Sequence, residues 1–126
     1  MTTWTRIELD KIATANELEI TPFGRDGALG KPVIIWVVRV ADDLYVRSAY
    51  GRSAAWFRRT QTHHRARVRA DGVEKDVAVL DADPRFNDQI DAAYRAKYHR
   101  HGATYVNMMI SSEARSTTIK LARRSG

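Results

Sequence analysis

Read for the spacing of apolar and polar positions, the chain resolves into strands of alternating character, two helices and one short helical insert. "TRIELDKIATA", residues 5–15, carries Ile7, Leu9 and Ile12 on near-helical spacing without Gly or Pro, which predicts a first helix. "ELEITPF" alternates Leu18 and Ile20 with glutamates until Pro22 stops the ladder, the pattern of a short edge strand. "GRDGALGKP" is glycine-rich and polar and predicts a loop. "VIIWVVRV", residues 33–40, is apolar on both faces and β-branched, as a central strand would be. Its return partner is "LYVRSAY". A three-residue loop, Ala41 to Asp43, would pair Val40 with Leu44, Val38 with Val46 and Trp36 with Ser48, leaving Arg39 and Arg47 together on the opposite face.

From Ser53 the pattern turns helical through Trp56 and Phe57 and ends near "TQTHH". "ARVRADGVEKDVAVL" predicts a hairpin about a type I′ turn at Asp71-Gly72, in which Arg69 faces Glu74, Arg67 faces Asp76, and Val68, Val77 and Val79 point inward. "DADPRFNDQIDAAYRAKYHRHG" is the strongest helix. Asp83 can cap it, Pro84 suits its first position, Gly102 ends it, and Phe86, Ile90, Ala93, Tyr94 and Lys97 form one stripe with Asp91 and Arg95 paired beside it. "STTIKLARR" alternates into a last strand.

Composition adds bounds. A chain of 126 residues with 44% hydrophobic and 29% charged positions is ordinary globular material for a single domain over 1–126, and disordered, collagen-like and membrane classes fall away. No apolar run approaches the ~20 residues of a spanning helix. The beginning lacks a secretory signal and there is no cysteine, so a cytoplasmic protein is expected. The net charge of +6 favours anionic partners in general, although many arginines alternate with carboxylates in the manner of a solvated surface.

Candidate chemistry concentrates where the strand "LYVRSAY" meets the helical insert. A Gly-containing turn entering a helix presents free backbone N–H groups, Ser48 and Ser53 add hydroxyls, and Arg52 adds a planar fork suited to phosphate. The same residues also read as a plain junction: Gly51 turning, Ser53 capping and Arg52 solvated. Trp36, Tyr50 and Trp56 fall near this join as a ligand platform or as core, and Lys31 could reach it from the glycine-rich loop. His63-His64 and His99-x-His101 have poor spacing for metal ligands and no cysteine supplements them, so no metal is expected. "GRSAA" lacks the second glycine of a nucleophile elbow. "HHRARVR" has the charge for nucleic acid, but its arginines have carboxylates across the hairpin and no interleaved aromatics, so nucleic acid ranks last among partners.

Taken as a set, "IWVVRVADDLYVRSAYGRSAAWFRR", "NDQIDAAYRAKY" and "STTIKLARR" resemble the bacterial domain-of-unknown-function family 2255 over nearly the whole chain. More distantly, "GALGKPVIIWVVRVADDLYVRSAYGRSAAWFRR" resembles the split β-barrel flavin and deazaflavin proteins related to pyridoxamine-phosphate oxidases and nitroreductases. That resemblance implies an α+β fold, an antiparallel split β-barrel with flanking helices. It implies FMN or a deazaflavin as cofactor, a homodimer completing the pocket, and an oxidoreductase. Carried over by position, the cofactor binders are Lys31, Arg47, Ser48, Arg52 and Trp56, joined by their neighbours Trp36, Tyr50, Gly51 and Ser53. The resemblance leaves the phosphate on Arg47 and Arg52 and the ring against Trp36 or Trp56. The other functions that fit the sequence are a non-catalytic module for a small anion or a protein partner, and a basic nucleic-acid-binding domain.

Overall fold

The computed structural model describes residues 3–124; residues 1, 2, 125 and 126 of the expected domain lie outside that range. Helix α1, Arg6–Thr14, begins with a capping box in which Thr5 and Glu8 satisfy each other's backbone amides. It buries Leu9 and Ile12, while Ile7 is exposed on its other face. Strands β1 (Leu18–Pro22), β2 (Val33–Ile35), β3 (Val37–Val40) and β4 (Asp43–Val46) follow, then α2 (Ala55–His63). Next come β5 (Arg65–Ala70), β6 (Val73–Asp81), α3 (Asn87–Tyr98), α4 (Ala103–Met109), α5 (Ser112–Arg115) and β7 (Ile119–Arg123).

The strands form one antiparallel sheet in the order β2-β1-β5-β6-β7-β4-β3. Its two edges, β2 and β3, are a single stretch of chain separated only by Trp36. The sheet therefore curls into a nearly closed barrel whose rims are held together by covalent continuity. Residues 33–35 pair with β1, residues 37–40 pair with β4, and the stretch changes partners at Trp36. At that point the backbone of Val37 is served by α3 instead of a neighbouring strand. Its N–H donates to the Tyr98 hydroxyl at 3.2 Å, and its carbonyl accepts from Lys97 Nζ at 2.6 Å. The barrel interior holds Leu18, Ile20, Val37, Leu44, Val46, Val68, Val77, Val79, Ile119 and Leu121, joined by Ile12 of α1 and Phe57 of α2. A second apolar layer lies outside, where Ile90, Tyr94 and Tyr98 of α3 cover Val38 and Tyr45.

Three sequence expectations are corrected. Strand β1 is not an edge: it pairs with both β2 and β5, and Pro22 is tolerated as its last residue, where the missing N–H costs the ladder least. The β3–β4 connection has two residues, Ala41 and Asp42, so Val38 faces Tyr45, Arg39 faces Leu44 and Val40 faces Asp43. Arg39 and Arg47 consequently lie on opposite faces. Matching faces by polarity fails here because the pair is buried on both sides, by the barrel interior and by α3. Finally, Asp91 does not pair with Arg95; it binds Arg47 and Arg115. The hairpin at Asp71-Gly72 has the expected register, with Arg67 opposite Asp76 and Arg69 opposite Glu74, and Arg67 Nε donates to Asp76 at 2.8 Å. Arg69 leans instead to Glu19 of β1, at 3.8 Å.

Lys97 carries a pH signature. Burial lowers its pKa from the ordinary 10.5 to about 8. Below about pH 8 the amine is charged in both states and its desolvation cost is fully present. Between about 8 and 10.5 the folded protein sheds the proton before the unfolded chain does, so stability rises with pH. Tyr98, raised by burial to about 12 from 10.0, acts with the opposite sign: its contribution is complete below 10.0 and is lost as pH rises through 12. The urea midpoint of the protein is expected to increase from pH 8 to 10, and Lys97→Met to flatten that slope; an equal slope in the variant would assign it elsewhere.

Candidate functional site

The gap between the two partner sets of the 33–40 stretch opens into a cavity of about 460 Å³. Strand β2 supplies one wall with Val33, Ile34 and Ile35, and Trp36 stands where the strand changes partners. The segment after β4 supplies Arg47, Ala49, Tyr50 and Ala54, α2 supplies Trp56, and the α3–α4 corner supplies His101, Tyr105, Met108 and Met109. Trp36 is fixed from behind by Tyr98, whose ring stacks on it at 3.9 Å between centroids and 2° between planes. His101 and Tyr105 tilt against the same indole at 5.4 and 6.5 Å. Tyr98 is itself anchored, its hydroxyl donating to the Asn16 carbonyl at 2.8 Å.

Arg47 is the cation at the cavity wall, and its guanidinium is committed to the protein. Its side chain is 0% exposed. Nη1 donates to Asp91 Oδ1 at 2.5 Å and to the Met109 carbonyl at 2.9 Å, Nε donates to Thr118 Oγ1 at 2.8 Å, and Nη2 donates to Asn87 Oδ1 at 3.2 Å. Asp91 also meets Arg115 Nε at 3.4 Å, and Arg115 reaches Asp88 at 2.8 Å. The strand register makes this possible: alternation puts Arg47 on the outer face with Tyr45, under α3, where the only favourable way to bury a guanidinium is to pair it. Among the described residues no carboxylate lines the cavity. Indole, phenol and thioether walls with a fixed positive charge at one side suit a flat conjugated ring that is neutral or anionic.

Of the residues singled out in the sequence, Trp36, Arg47, Tyr50 and Trp56 converge on this cavity. The others face elsewhere. Ser48 is buried, its N–H donating to Thr117 Oγ1 at 2.8 Å and its hydroxyl enclosed without a hydrogen-bond partner among the described residues. Gly51 turns at φ +74 in a 3-10 turn over residues 51–53, and the Glu113 side chain occupies the space a Cβ would need. Ser53 donates to the Tyr50 carbonyl at 3.2 Å and does not cap α2, whose N-cap is Ala54. Arg52 donates to the Ser116 carbonyl at 2.9 Å and lines a different hollow, with Asn87 and Arg115. Lys31 lines a third hollow, of about 500 Å³, under the glycine-rich loop. Ser48 and Arg52 thus share no cavity. His101, Tyr105, Met108 and Met109 were not anticipated; the i, i+3, i+4 spacing of the last three, just after Gly102, is the signal that marks their common face. Among the described residues no group of three or more His, Asp or Glu is arranged to hold a metal ion, and no helix is long and apolar enough to cross a membrane.

Comparison with known proteins fits this architecture. The family described as "Uncharacterized protein conserved in bacteria (DUF2255)" matches residues 8–121. The chain belongs to that family. A search of curated proteins finds no match. Among solved structures the chain is similar to HutZ, the heme storage protein from Vibrio cholerae, with 10% identity, a TM-score of 0.64, and coverage of 96% of this chain and 91% of that one. It is similar also to a FAD-binding protein from Mesorhizobium loti, at 17% identity and TM-score 0.56, covering 98% and 93% of the two chains. An F420 reductase aligns at 10% identity and TM-score 0.54, over 93% and 92%. At these identities the likeness establishes the fold, an antiparallel split β-barrel with flanking helices.

Proposed function

We propose that this DUF2255 protein binds the ring of FMN or a deazaflavin in the cavity at the barrel's split and acts as a cytoplasmic oxidoreductase. The observation that carries the reading is the pairing of Trp36 and Trp56 around one cavity of about 460 Å³ with Arg47 fixed at its wall. The FAD-binding protein and the F420 reductase of the same fold add support. A bound flavin-type ring would supply hydride chemistry itself, which relieves the protein of a dedicated acid or base. What this chain's residues do is orient and polarise. Trp36, held flat by Tyr98, gives the ring a face to stack on. Arg47, locked by Asp91, would hold a guanidinium at the wall of the cavity the ring would occupy. Its bonds to the protein leave it no role as a phosphate clamp.

The cavity mouth supports a homodimer. Ile34, Tyr50 and Tyr105 rim it at 60, 72 and 60% exposure, an apolar border that a second copy would cover. Nucleic acid is disfavoured by the pairing of Arg67 and Arg69 with Asp76 and Glu19. Titration with FMN and with a deazaflavin, followed by quenching of tryptophan fluorescence, is expected to saturate. Sedimentation is expected to give a dimer that Tyr105→Glu weakens. Absence of quenching by either ring would overturn the cofactor reading, and a monomer at every concentration would overturn the dimer.

A further inference from the structure

We infer that the anionic arm of the ligand is seated outside the barrel's split, on Lys31 and Arg59 beneath the glycine-rich loop; this rests on the ring-binding reading just given. The two hollows are joined by two short pieces of chain. Arg59 stands one helical turn after Trp56 on α2, a spacing of about 5–6 Å between Cβ atoms. Lys31 precedes Val33 by two residues, at most about 7 Å of extended chain. Trp56 and Val33 line the ring cavity, while Arg59 and Lys31 line the hollow of about 500 Å³. The two hollows therefore lie within the reach of a ligand that has a flat ring and a short phosphorylated arm.

The charges of this second hollow are available in a way those of the first are not. Among the described residues neither Lys31 nor Arg59 has a carboxylate within ion-pair distance. The single carboxylate in the lining, Asp26, accepts the N–H of Ala28 at 3.0 Å and so serves to close the loop. The Arg59 guanidinium lies against the loop backbone, its Nη1 3.4 Å from where a Cβ on Gly30 would stand. Gly24 and Gly30 add no side chain to the rim, and their N–H groups are engaged by the Ala28 and Pro22 carbonyls at 2.7 and 3.0 Å, so it is the two cations that a phosphoryl group can approach. Arg47 is fully bonded and Arg52 opens on another hollow, so within one protomer this is where charge remains to meet an anion next to the ring.

Riboflavin and FMN share a ring and differ by the phosphate, which makes them the probes, with binding read by calorimetry and folding checked by circular dichroism. FMN is expected to bind wild-type protein about ten-fold more tightly than riboflavin, and Arg59→Gln or Lys31→Gln to erase about ten-fold of FMN affinity while riboflavin changes less than about two-fold. Equal FMN affinity in the wild type and both variants would overturn the seat, as would a matching loss for riboflavin. If neither compound binds the wild type, the ring reading fails and the seat is judged separately. Inorganic phosphate should then shift the amide resonances of Gly24 and Gly30 in the wild type and leave them unmoved in Arg59→Gln; no shift in the wild type overturns the seat as well.

Discussion

Asp91→Asn is expected to destabilise the protein by about 3–5 kcal/mol, because it leaves the Arg47 guanidinium buried without its counter-charge. The side chains are 0% and 10% exposed, so water cannot take over the role of the carboxylate. Arg115 makes the loss larger, since it approaches the same carboxylate and would be left as a second cation beside the first. Urea unfolding monitored by tryptophan fluorescence measures the difference. A loss below about 1 kcal/mol would show that the pair contributes no more than a surface salt bridge does. The paired replacement Arg47→Met with Asp91→Leu is expected to recover most of the stability, as isosteric apolar substitutes for buried ion pairs often do. The same variant lacks the fixed charge at the cavity wall, so recovered stability with altered ring binding would separate the structural role of Arg47 from its electrostatic one.

Trp36→Ala is expected to weaken FMN binding by roughly ten- to hundred-fold, the range that loss of an aromatic stacking partner commonly costs. Trp36→Phe should retain most of the affinity, because Tyr98 can still brace a smaller ring from behind. Calorimetry is the suitable measurement, since these variants alter the fluorophore itself. Unchanged affinity in Trp36→Ala would exclude the indole from the binding surface. The stability cost of this variant should be smaller, about 0.5–1.5 kcal/mol for the lost stack plus a share of buried area, because Trp36 is only half-buried.

Much of the fold could be read from local chemistry, and what could not be read depends on distant contacts. The hairpin at Asp71-Gly72 was legible because both turn residues suit positive φ, which they adopt at +47 and +79. The turn at Ala41 was not: it has φ +55, and alanine announces no such preference. The apolar run 33–40 suggested one central strand, but it forms the two terminal strands of the sheet, with Ile34 exposed, and nothing within it says that its halves pair with different neighbours. That change depends on Tyr98 and Lys97, about sixty residues later, serving the Val37 backbone. Asp91 looked like an i, i+4 partner of Arg95, but a buried guanidinium 44 residues earlier holds it instead. At the site, the aromatic members Trp36, Tyr50 and Trp56 were legible as a group because they flank one strand pair. Of the basic residues singled out, Arg47 lines the cavity, while Arg52 and Lys31 line other hollows, since a lysine or arginine side chain can serve any of several and only packing decides which. Helix α4 was missed because Gly102, at φ +95, ends one helical stretch and starts the next without an intervening loop, and α5 because its four residues behind the Ser111 cap are too few to show a periodicity.

The closure of the barrel through one unbroken stretch sets where the backbone tolerates being cut. Near the other seam the chain is already stitched: the Trp4 indole N–H donates to the Leu121 carbonyl at 2.9 Å, and Arg123 reaches the Thr3 carbonyl at 3.4 Å. A circular permutant joined there and opened at Asp71-Gly72 gives up only a solvent-facing turn. Opened at Trp36, the same polymer would free its two edges, β2 and β3, from the link that now ties them together, and it would be the permutant that self-associates edge to edge.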